Sequence, residues 1–296
     1  MSCPLCGGGQ AKPSWLGSTI YDGQTYTYVE CRDCGSLYCD PMPSRDALGR
    51  MYGPEYQDVL VDRGESGERE IGRVVQSITT GRSTPGTFVD YGCGRGELVR
   101  EVLHLGWHSF GVEFDDGVAA SLARETGLAI VGRHEAGRLL RGRADVLHLG
   151  DVIEHLTAIE EEMPAILDLI TPGGVLIAQG PLEGNANLFT LVLRSVRTLT
   201  GRRTSTMPPY HVLLATADGQ RRLFTRFGLV VRQFDISEVA WPAPARLGLR
   251  EIGNVRTVAM FMLRLVSRLV SAAGRREWGN RYFCTAICGR EVPAHA

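Results

Sequence analysis

A glycine-rich stretch at residues 90–97, Asp-Tyr-Gly-Cys-Gly-Arg-Gly-Glu, is the segment best suited to holding a small ligand. Glycines let the backbone turn sharply and let a ligand approach it within contact distance. An apolar run precedes the stretch and a helical pattern follows, so we expect a helix N-terminus whose free amides face a carboxylate or phosphate. The third glycine comes one residue earlier than in a dinucleotide fingerprint.

Glu113 strengthens this interpretation, because it ends the next predicted strand, nineteen residues after Gly94. A carboxylate at that point can accept hydrogen bonds from both hydroxyls of a ribose. The alternative is a tight strand-to-helix turn that holds no ligand.

A second group of polar side chains, Asp151, Glu154 and His155, follows a later apolar run. Ligands of α/β sheets bind beyond the carboxyl ends of the strands, so these side chains should lie near the same ligand. If the segment is helical, its spacing places all three on one face. A neutral imidazole is suited to removing a hydroxyl proton near pH 7. The alternative is that Glu154 and His155 only cap and fix a helix.

Four cysteines form two pairs, Cys3-x-x-Cys6 and Cys31-x-x-Cys34, and a glycine follows each pair. Two such pairs make the closed set of four thiolates that binds Zn²⁺ tetrahedrally. A closed set leaves no coordination position for chemistry, so we expect a structural zinc. The remaining cysteines have no such pairing: Cys39, Cys93, Cys284 and Cys288.

The composition limits the fold and function classes to which the chain can belong. The chain has 296 residues, 44% of them apolar, which suffices for one large α/β domain and a small accessory module. A formal net charge of −1 gives none of the basic excess typical of nucleic-acid binding. The sequence opens without a secretory leader, and no apolar run approaches the roughly 20 residues that span a bilayer. We therefore expect a cytoplasmic protein, in whose reducing surroundings paired cysteines favour metal over disulfides.

Short apolar strands alternate with amphipathic helices from Thr87 onwards, a pattern typical of βαβ units and a parallel sheet. We predict seven strands, at residues 87–92, 109–114, 128–132, 144–150, 175–180, 229–236 and 281–288. The predicted segments are a zinc ribbon at 1–45, a helical linker at 46–85 and an α/β domain at 86–296. Within that domain we place a cap insertion at 183–211 and a helical insertion at 237–280.

Two predicted helices in these insertions carry arginines among apolar residues. The first, at 185–199, should roof the substrate site together with the loop that follows it. The basic residues of this region either meet a phosphate or carboxylate or form a solvated face: Arg194, Arg197, Arg202 and Arg203. The second helix has a broad apolar face at 255–272, which we interpret as core, as a dimer contact or as an interfacial membrane helix.

The segment Asp90-Tyr91-Gly92-Cys93-Gly94-Arg95-Gly96 resembles the first motif of class I S-adenosylmethionine-dependent methyltransferases, usually Asp-x-Gly-x-Gly-x-Gly. Glu113 matches the ribose-binding acid of that family, and Pro172-Gly173-Gly174 matches its turn before the fifth strand. The resemblance covers residues 87–182 and implies a seven-stranded Rossmann-like methyltransferase sheet. It implies that the glycine loop cradles the methionine part of the cofactor and that the residues after the third strand lie near the adenine. The cofactor-binding residues so predicted are Asp90, Gly92, Cys93, Gly94, Gly96, Glu113, Arg133, His134 and Asp151.

The Asp151-x-x-Glu154-His155 segment resembles that of ubiquinone-biosynthesis O-methyltransferases and of small-RNA 2′-O-methyltransferases, in which such residues hold a divalent metal. His211 resembles a further histidine found before the next helix in this superfamily. Two mechanisms remain open. Either these four side chains bind a divalent cation that acidifies the substrate hydroxyl, or His155 and His211 act as base and substrate clamp without a metal.

We therefore expect methyl transfer to a hydroxyl of a small molecule or glycan intermediate. A zinc ribbon on this methyltransferase type also resembles bacterial sugar C-methyltransferases, whose second large C-terminal domain we do not expect here. Another alternative is an RNA methyltransferase that grips RNA through the ribbon, against which the near-neutral charge and the single lysine argue. The intact loop and Glu113 disfavour a non-catalytic scaffold protein.

Overall fold

The chain forms two compact units, each assembled from several segments. The first unit contains Met1–Pro43, Gly180–Leu223 and Phe234–Phe283, and the second contains Ser44–Gln179, Phe224–Gln233 and Cys284–Ala296. The structure is a computed structural model, and it describes residues 2–51, 64–81, 84–201, 204–205, 208–239, 248, 252–273 and 277–289. Arg202, Arg203 and the first two residues of the helix predicted at 250–273 lie outside the described residues.

The secondary structure alternates as the sequence predicts. The strands in the described part of the chain are β1 (Ala11–Tyr21), β2 (Gln24–Cys31), β3 (Leu37–Asp40), β4 (Thr87–Tyr91), β5 (His108–Glu113), β6 (Ile130–Gly132), β7 (Ala144–Gly150), β8 (Ile170–Pro181), β9 (Thr204–Ser205), β10 (Leu213–Leu214), β11 (Leu229–Ser237) and β12 (Arg281–Cys288). The described helices are α1 (Arg45–Met51), α2 (Gly64–Gly81), α3 (Glu97–His104), α4 (Asp116–Thr126), α5 (Arg133–Leu139), α6 (Ile159–Leu167), α7 (Leu188–Thr200), α8 (Ala217–Arg226) and α9 (Val255–Ala273).

A seven-stranded sheet, most of whose residues belong to the second unit, has the strand order β11-β12-β8-β7-β4-β5-β6. The pairs β4–β5, β5–β6, β4–β7 and β7–β8 are parallel. The order reverses between β4 and β7, and such a switch point creates a crevice at the carboxyl ends of the strands. The seven-stranded Rossmann-like α/β sheet predicted from the sequence is therefore confirmed.

The central strands are apolar on both faces, as a sheet covered by helices on both sides requires. Phe88 and Val89 of β4 and Leu147 and Leu149 of β7 are fully buried. The helix that follows β5 has a defined cap at each end. The Asp115 side chain accepts hydrogen bonds from the first turn of α4, and Gly127 ends that helix in the left-handed conformation.

Three local features differ from the sequence-based expectations. Strand β8 begins at Ile170, where it pairs with Ala144 before an irregularity in the ladder. Helix α5 was not predicted, because its seven residues are too few to show a helical period. The segment that carries Asp151, Glu154 and His155 is not an α-helix, so the condition for their sharing one helical face is not met: Asp151 has a left-handed φ of 54°, and only Ile153–His155 form a short 3₁₀ turn.

A five-stranded sheet lies in the first unit, with the order β10-β3-β2-β1-β9. Strands β1 and β2 form an antiparallel hairpin, and β3 continues the sheet antiparallel to β2. Residues far along the chain complete it, since β9 pairs with β1 and β10 pairs with β3. The cysteine-rich segment thus shares its sheet with the region predicted as a cap insertion. The predicted boundaries at 45, 85, 183–211 and 237–280 stay predictions.

Helices α7 and α9 also belong to the first unit, and a buried ion pair lies beside them. The Arg264 guanidinium donates to Glu238 Oε1 over 2.9 Å and stands 3.5 Å from the centre of the Phe189 ring. The side chains of Arg264 and Glu238 are only 5% and 2% exposed. Burial raises the pKa of Glu238 and lowers the pKa of Arg264, so each charge depends on its partner. Among the described residues, no helix has the length and apolar character needed to cross a bilayer.

Replacing Glu238 by alanine should lower the free energy of unfolding by about 3–5 kcal/mol, because the buried guanidinium loses its counter-charge. Urea denaturation followed by circular dichroism measures this. Glu277→Ala is the matched control, since Glu277 pairs with Arg221 at 3.6 Å but is 72% exposed. The control should lose less than about 1 kcal/mol. Equal losses in the two variants would contradict the importance of the buried pair.

Candidate functional site

The glycine loop after β4 is held in a conformation that only glycine adopts easily. Gly92, Gly94 and Gly96 have φ values of 78°, 52° and 73°, all in the left-handed region. A Cβ atom on Gly92 would lie 2.7 Å from Val152, and one on Gly96 would lie 2.6 Å from Leu128. A Cβ on Gly94 would meet nothing within 4 Å. The loop is therefore packed at both ends and faces open space in its middle, as a cradle for a ligand does.

Glu113 lies at the edge of this loop, as predicted. The backbone N–H of Gly94 donates to Glu113 Oε1 over 2.6 Å. The register of the parallel strands positions the two groups, since Tyr91 at the end of β4 pairs with Val112 on β5. Burial raises the pKa of the Glu113 carboxyl, and backbone hydrogen bonds from Gly94 and Phe114 oppose this shift. These donors favour the charged carboxylate that a ribose contact requires.

Asp90, the first residue of the glycine-loop motif, forms a side-chain hydrogen bond within the sheet. His148 on the adjacent strand β7 donates from Nδ1 to Asp90 Oδ1 over 2.7 Å, and both side chains are buried. A Cβ on Gly150 would lie 2.6 Å from the His148 ring, so the pair also explains this glycine. Asp90 acts on the loop by fixing the end of β4. His148 was not predicted from the sequence, although a histidine between two buried leucines of an internal strand signals a buried polar partner.

The side chain of Cys93 points away from the open face of the loop. It packs in a hydrophobic cluster whose other buried members are Val99, Ala119, Leu128 and Ile130. Burial raises the pKa of the Cys93 thiol, which keeps it protonated. Any contact of Cys93 with a ligand in the loop is therefore through its backbone.

Arg133 and His134, the residues predicted near an adenine, begin α5 directly after β6. The Arg133 guanidinium stands 4.2 Å from the centre of the Phe114 ring, and Phe114 is 43% exposed. His134 Nδ1 lies 3.3 Å from Asp116 Oδ2, and both residues border a cleft of about 510 Å³. A role for Phe114, an exposed aromatic residue directly after the acid at the end of β5, was not predicted from the sequence.

The Asp151-to-His155 segment follows β7 at the carboxyl edge of the sheet. The N–H of Asp151 donates to the carbonyl of Gln179 on β8 over 3.0 Å, which ties the segment to the neighbouring strand. Within the 3₁₀ turn, Glu154 is buried and His155 is half-buried. The segment therefore presents its histidine at the edge where α/β sheets bind ligands.

His211 belongs to the first unit and forms an imidazole–carboxylate pair there. His211 Nδ1 lies 2.7 Å from Glu183 Oε2, and both side chains are about one-third exposed. The Tyr28 hydroxyl donates to the His211 carbonyl over 2.8 Å and so fixes the backbone at this point. Glu183 was not predicted from the sequence. It follows the carboxyl end of β8 by two residues, a position that could have drawn attention to it.

The structure brings together the thiols of Cys3, Cys6, Cys31 and Cys34, and all four sulfur atoms lie within 4.8 Å of one another. The sulfurs of Cys3 and Cys34 are 3.8 Å apart, and those of Cys6 and Cys31 are 3.6 Å apart. A tetrahedral zinc with Zn–S bonds of ~2.3 Å separates its sulfurs by about 3.8 Å. The hydrogen bond between Cys3 and Cys34 lowers the pKa of the Cys34 thiol and raises that of Cys3. The cluster can therefore hold a metal ion with little rearrangement.

Backbone amides and a residue far along the chain support the turns at Cys3–Cys6 and Cys31–Cys34. Gly8 N–H donates to the Cys6 sulfur, and Asp33 N–H donates to the Cys31 sulfur, each over 3.4 Å. The Thr216 hydroxyl donates to the Cys34 carbonyl over 2.6 Å. The Cys31–Cys34 turn is thus held by Thr216, the residue directly before α8.

Comparison with protein families identifies the class. A family model described as a methyltransferase domain matches residues 64–233, which is more than half of the chain. The chain therefore belongs to this methyltransferase family and is an enzyme. The search of curated proteins finds no match.

Several solved structures resemble the chain at low identity. A S-adenosylmethionine-dependent methyltransferase from Archaeoglobus fulgidus is 16% identical, with 74% of this chain and 93% of that chain covered and a TM-score of 0.48. Geranyl diphosphate C-methyltransferase from Streptomyces coelicolor is 15% identical, with 83% and 88% covered and a TM-score of 0.45. Magnesium protoporphyrin IX methyltransferase from Synechocystis is 14% identical, with 82% and 92% covered and a TM-score of 0.45. At this similarity we infer nothing about the methyl acceptor from them.

Replacing Glu113 by alanine should weaken the binding of S-adenosylhomocysteine by about 1–3 kcal/mol, because the ribose loses its charged acceptor and the loop loses its tie to β5. Isothermal titration calorimetry measures this affinity. Glu101→Ala, an exposed glutamate on α3, is the control and should bind normally. Unchanged affinity in Glu113→Ala would show that the carboxylate does not contact the cofactor.

Proposed function

We propose that this enzyme transfers the methyl group of S-adenosylmethionine to a hydroxyl of a small molecule or glycan intermediate. The observation that carries the proposal is the pairing of His211 with Glu183. A carboxylate that accepts the Nδ1–H of a histidine selects the tautomer in which Nε2 is the basic nitrogen. A hydroxyl must lose its proton as the methyl arrives, so an oriented imidazole suits this acceptor.

The cofactor would be held by the residues around the glycine loop. When bound, it supplies a methyl group attached to a positively charged sulfur. In the proposal, the loop from Gly92 to Gly96 receives the methionine part and the Glu113 carboxylate accepts the ribose hydroxyls. Phe114, Arg133 and His134 would border the adenine. The open space at Gly94 and the carboxylate beside it support this arrangement.

The remaining residues would act on the acceptor. We assign His155 and His211 as base and substrate clamp, and Asp151 and Glu154 as groups that orient them. Glu183 is a positioning residue, because it acts through His211. Methyl transfer itself requires mainly that the acceptor oxygen, the methyl group and the sulfur be held in line.

Alanine substitution of the base should lower turnover by roughly 10²–10⁴-fold while the affinity for S-adenosylhomocysteine barely changes. His155→Ala and His211→Ala test this with labelled S-adenosylmethionine and a panel of hydroxylated metabolites and glycan precursors. His104→Ala, an exposed histidine on α3, is the control. Normal turnover in both histidine variants would refute the base assignment.

Glu183→Gln should move the acidic limb of the pH–rate profile to lower pH, because loss of the carboxylate charge lowers the pKa of the His211 imidazole.

A divalent cation held by Asp151, Glu154, His155 and His211 is the alternative mechanism, and chelation distinguishes it. If a cation acidifies the hydroxyl, EDTA should abolish turnover, and added Mg²⁺ or Mn²⁺ should restore it. Zinc must be restored in a separate arm, since a chelator also removes a structural zinc. Full activity in EDTA would exclude the cation and leave the metal-free base.

We also propose that Cys3, Cys6, Cys31 and Cys34 bind a structural Zn²⁺, which the spacing of their sulfurs supports. A reducing cytoplasmic location, as the sequence predicts, would keep these thiols available. Purified protein should contain one zinc per chain by elemental analysis, and Cys31→Ser should lose it and unfold more readily. The control is Cys39→Ser, a buried cysteine of β3 outside the cluster, which should retain zinc. A zinc-free wild-type protein from zinc-replete medium would disprove the site.

A further inference from the structure

Helices α7 and α9 expose apolar residues to an unusual extent. Helix α7 has no buried residue, and Leu199 near its end is 86% exposed. In α9 the two buried residues are polar, Arg264 and Ser267. The exposed apolar residues of the two helices are Leu191, Val192, Leu193, Val196, Leu199, Val255, Met262, Leu265, Val266 and Leu269. Helix α9 therefore departs from the usual arrangement of an amphipathic helix on a soluble protein, in which the buried residues are apolar.

The buried ion pair determines this orientation. Arg264 and Ser267 both donate to the same oxygen of Glu238, each over 2.9 Å, and they lie one turn apart on the inner face of α9. Rotating α9 to bury its apolar stripe would expel Arg264 and leave Glu238 buried without its counter-charge, which is costly. The exposed stripe is thus fixed by the fold, and a contiguous apolar surface of this kind marks an interaction site.

The charges on the two helices are all of one sign. Their 13 and 19 residues include five arginines and no aspartate or glutamate. Arg264 is paired with Glu238, and Arg197 donates to the carbonyl of Leu16 over 2.9 Å. The exposed arginines are Arg194, Arg256 and Arg268. Apolar side chains combined with arginines and without acids are typical of helices that lie in a membrane interface.

A second copy of the chain fits this surface poorly. A twofold interface places the same patch on both subunits, so the arginines of α7 and α9 would meet one another without acidic partners from either helix. The surface combines exposed apolar residues with exposed arginines, so its partner should carry negative charges above a broad apolar layer. Anionic lipid headgroups above acyl chains have this composition.

We propose that α7 and α9 bind the surface of a membrane that contains anionic lipids. The apolar residues enter the boundary between headgroups and acyl chains, while Arg194, Arg256 and Arg268 contact lipid phosphates. The contact is peripheral, and it does not depend on which acceptor the enzyme methylates. Of the three interpretations of residues 255–272, the proposal favours the interfacial membrane helix over the core and the dimer contact.

Flotation of the full-length protein with vesicles tests the proposal. The protein should float with equimolar phosphatidylcholine and phosphatidylglycerol vesicles, and it should bind phosphatidylcholine vesicles much more weakly. Added salt should reduce the binding. The double variant Val266→Ser, Leu269→Ser should bind at least tenfold more weakly, because two apolar side chains no longer leave water. Arg256→Gln with Arg268→Gln should weaken binding about 25-fold, at roughly fivefold for each arginine.

Matched variants on the second unit serve as controls. Leu139→Ser removes a leucine of α5 that is 43% exposed, close to the 41% of Val266, and Arg232→Gln removes an exposed arginine from β11. Both should bind the anionic vesicles normally, and circular dichroism should show that every variant is folded. Absence of flotation with the anionic vesicles would overturn the proposal. So would a dimer by light scattering that Val266→Ser, Leu269→Ser dissociates while vesicle binding is unchanged, because the surface would then serve self-association.

Discussion

One hydrogen bond, from the backbone amide of Gly94 to the Glu113 carboxylate, joins the ends of two parallel strands and defines the edge of the cofactor cradle. It requires the register between β4 and β5, and it requires a left-handed glycine at the turn. It also opposes the rise in the Glu113 pKa that burial causes, so it favours the charged carboxylate. The proposed ribose contact depends on this link, because it holds the Glu113 carboxylate beside the open space at Gly94.

Each unit contains a buried pair of polar side chains that fixes a more exposed element. In the second unit, His148 and Asp90 connect β7 to β4 just below the glycine loop. In the first unit, Glu238 receives Arg264 and so determines which face of α9 is inside. Hydrophobic packing is non-directional and would tolerate a rotated helix, whereas a buried charge requires its partner. Directional contacts thus position the elements to which we assign function.

The sequence was sufficient for features that have a period or a fixed spacing. Strands β7 and β12 occupy the predicted residues, since each is an apolar run between turn residues. The glycine loop, Glu113 and the four cysteines lie where their spacing predicts. His148, Phe114 and Glu183 were missed because their partners come from other strands and loops. The two-residue strands β9 and β10 have no period to detect, and the left-handed φ of Asp151 could not be read from a helical spacing.

The topology of the five-stranded sheet delays its completion during translation. Strands β1 to β3 are translated early, but β3 remains an edge strand until β10 pairs with it, and Cys34 lacks its Thr216 donor over a separation of 182 residues. At roughly 5–20 residues per second, synthesis of that interval takes on the order of ten to forty seconds. An open edge can pair with other nascent chains during this time. The β3 edge therefore stays open to such pairing until Leu213 and Leu214 have been synthesised and can fold back onto it.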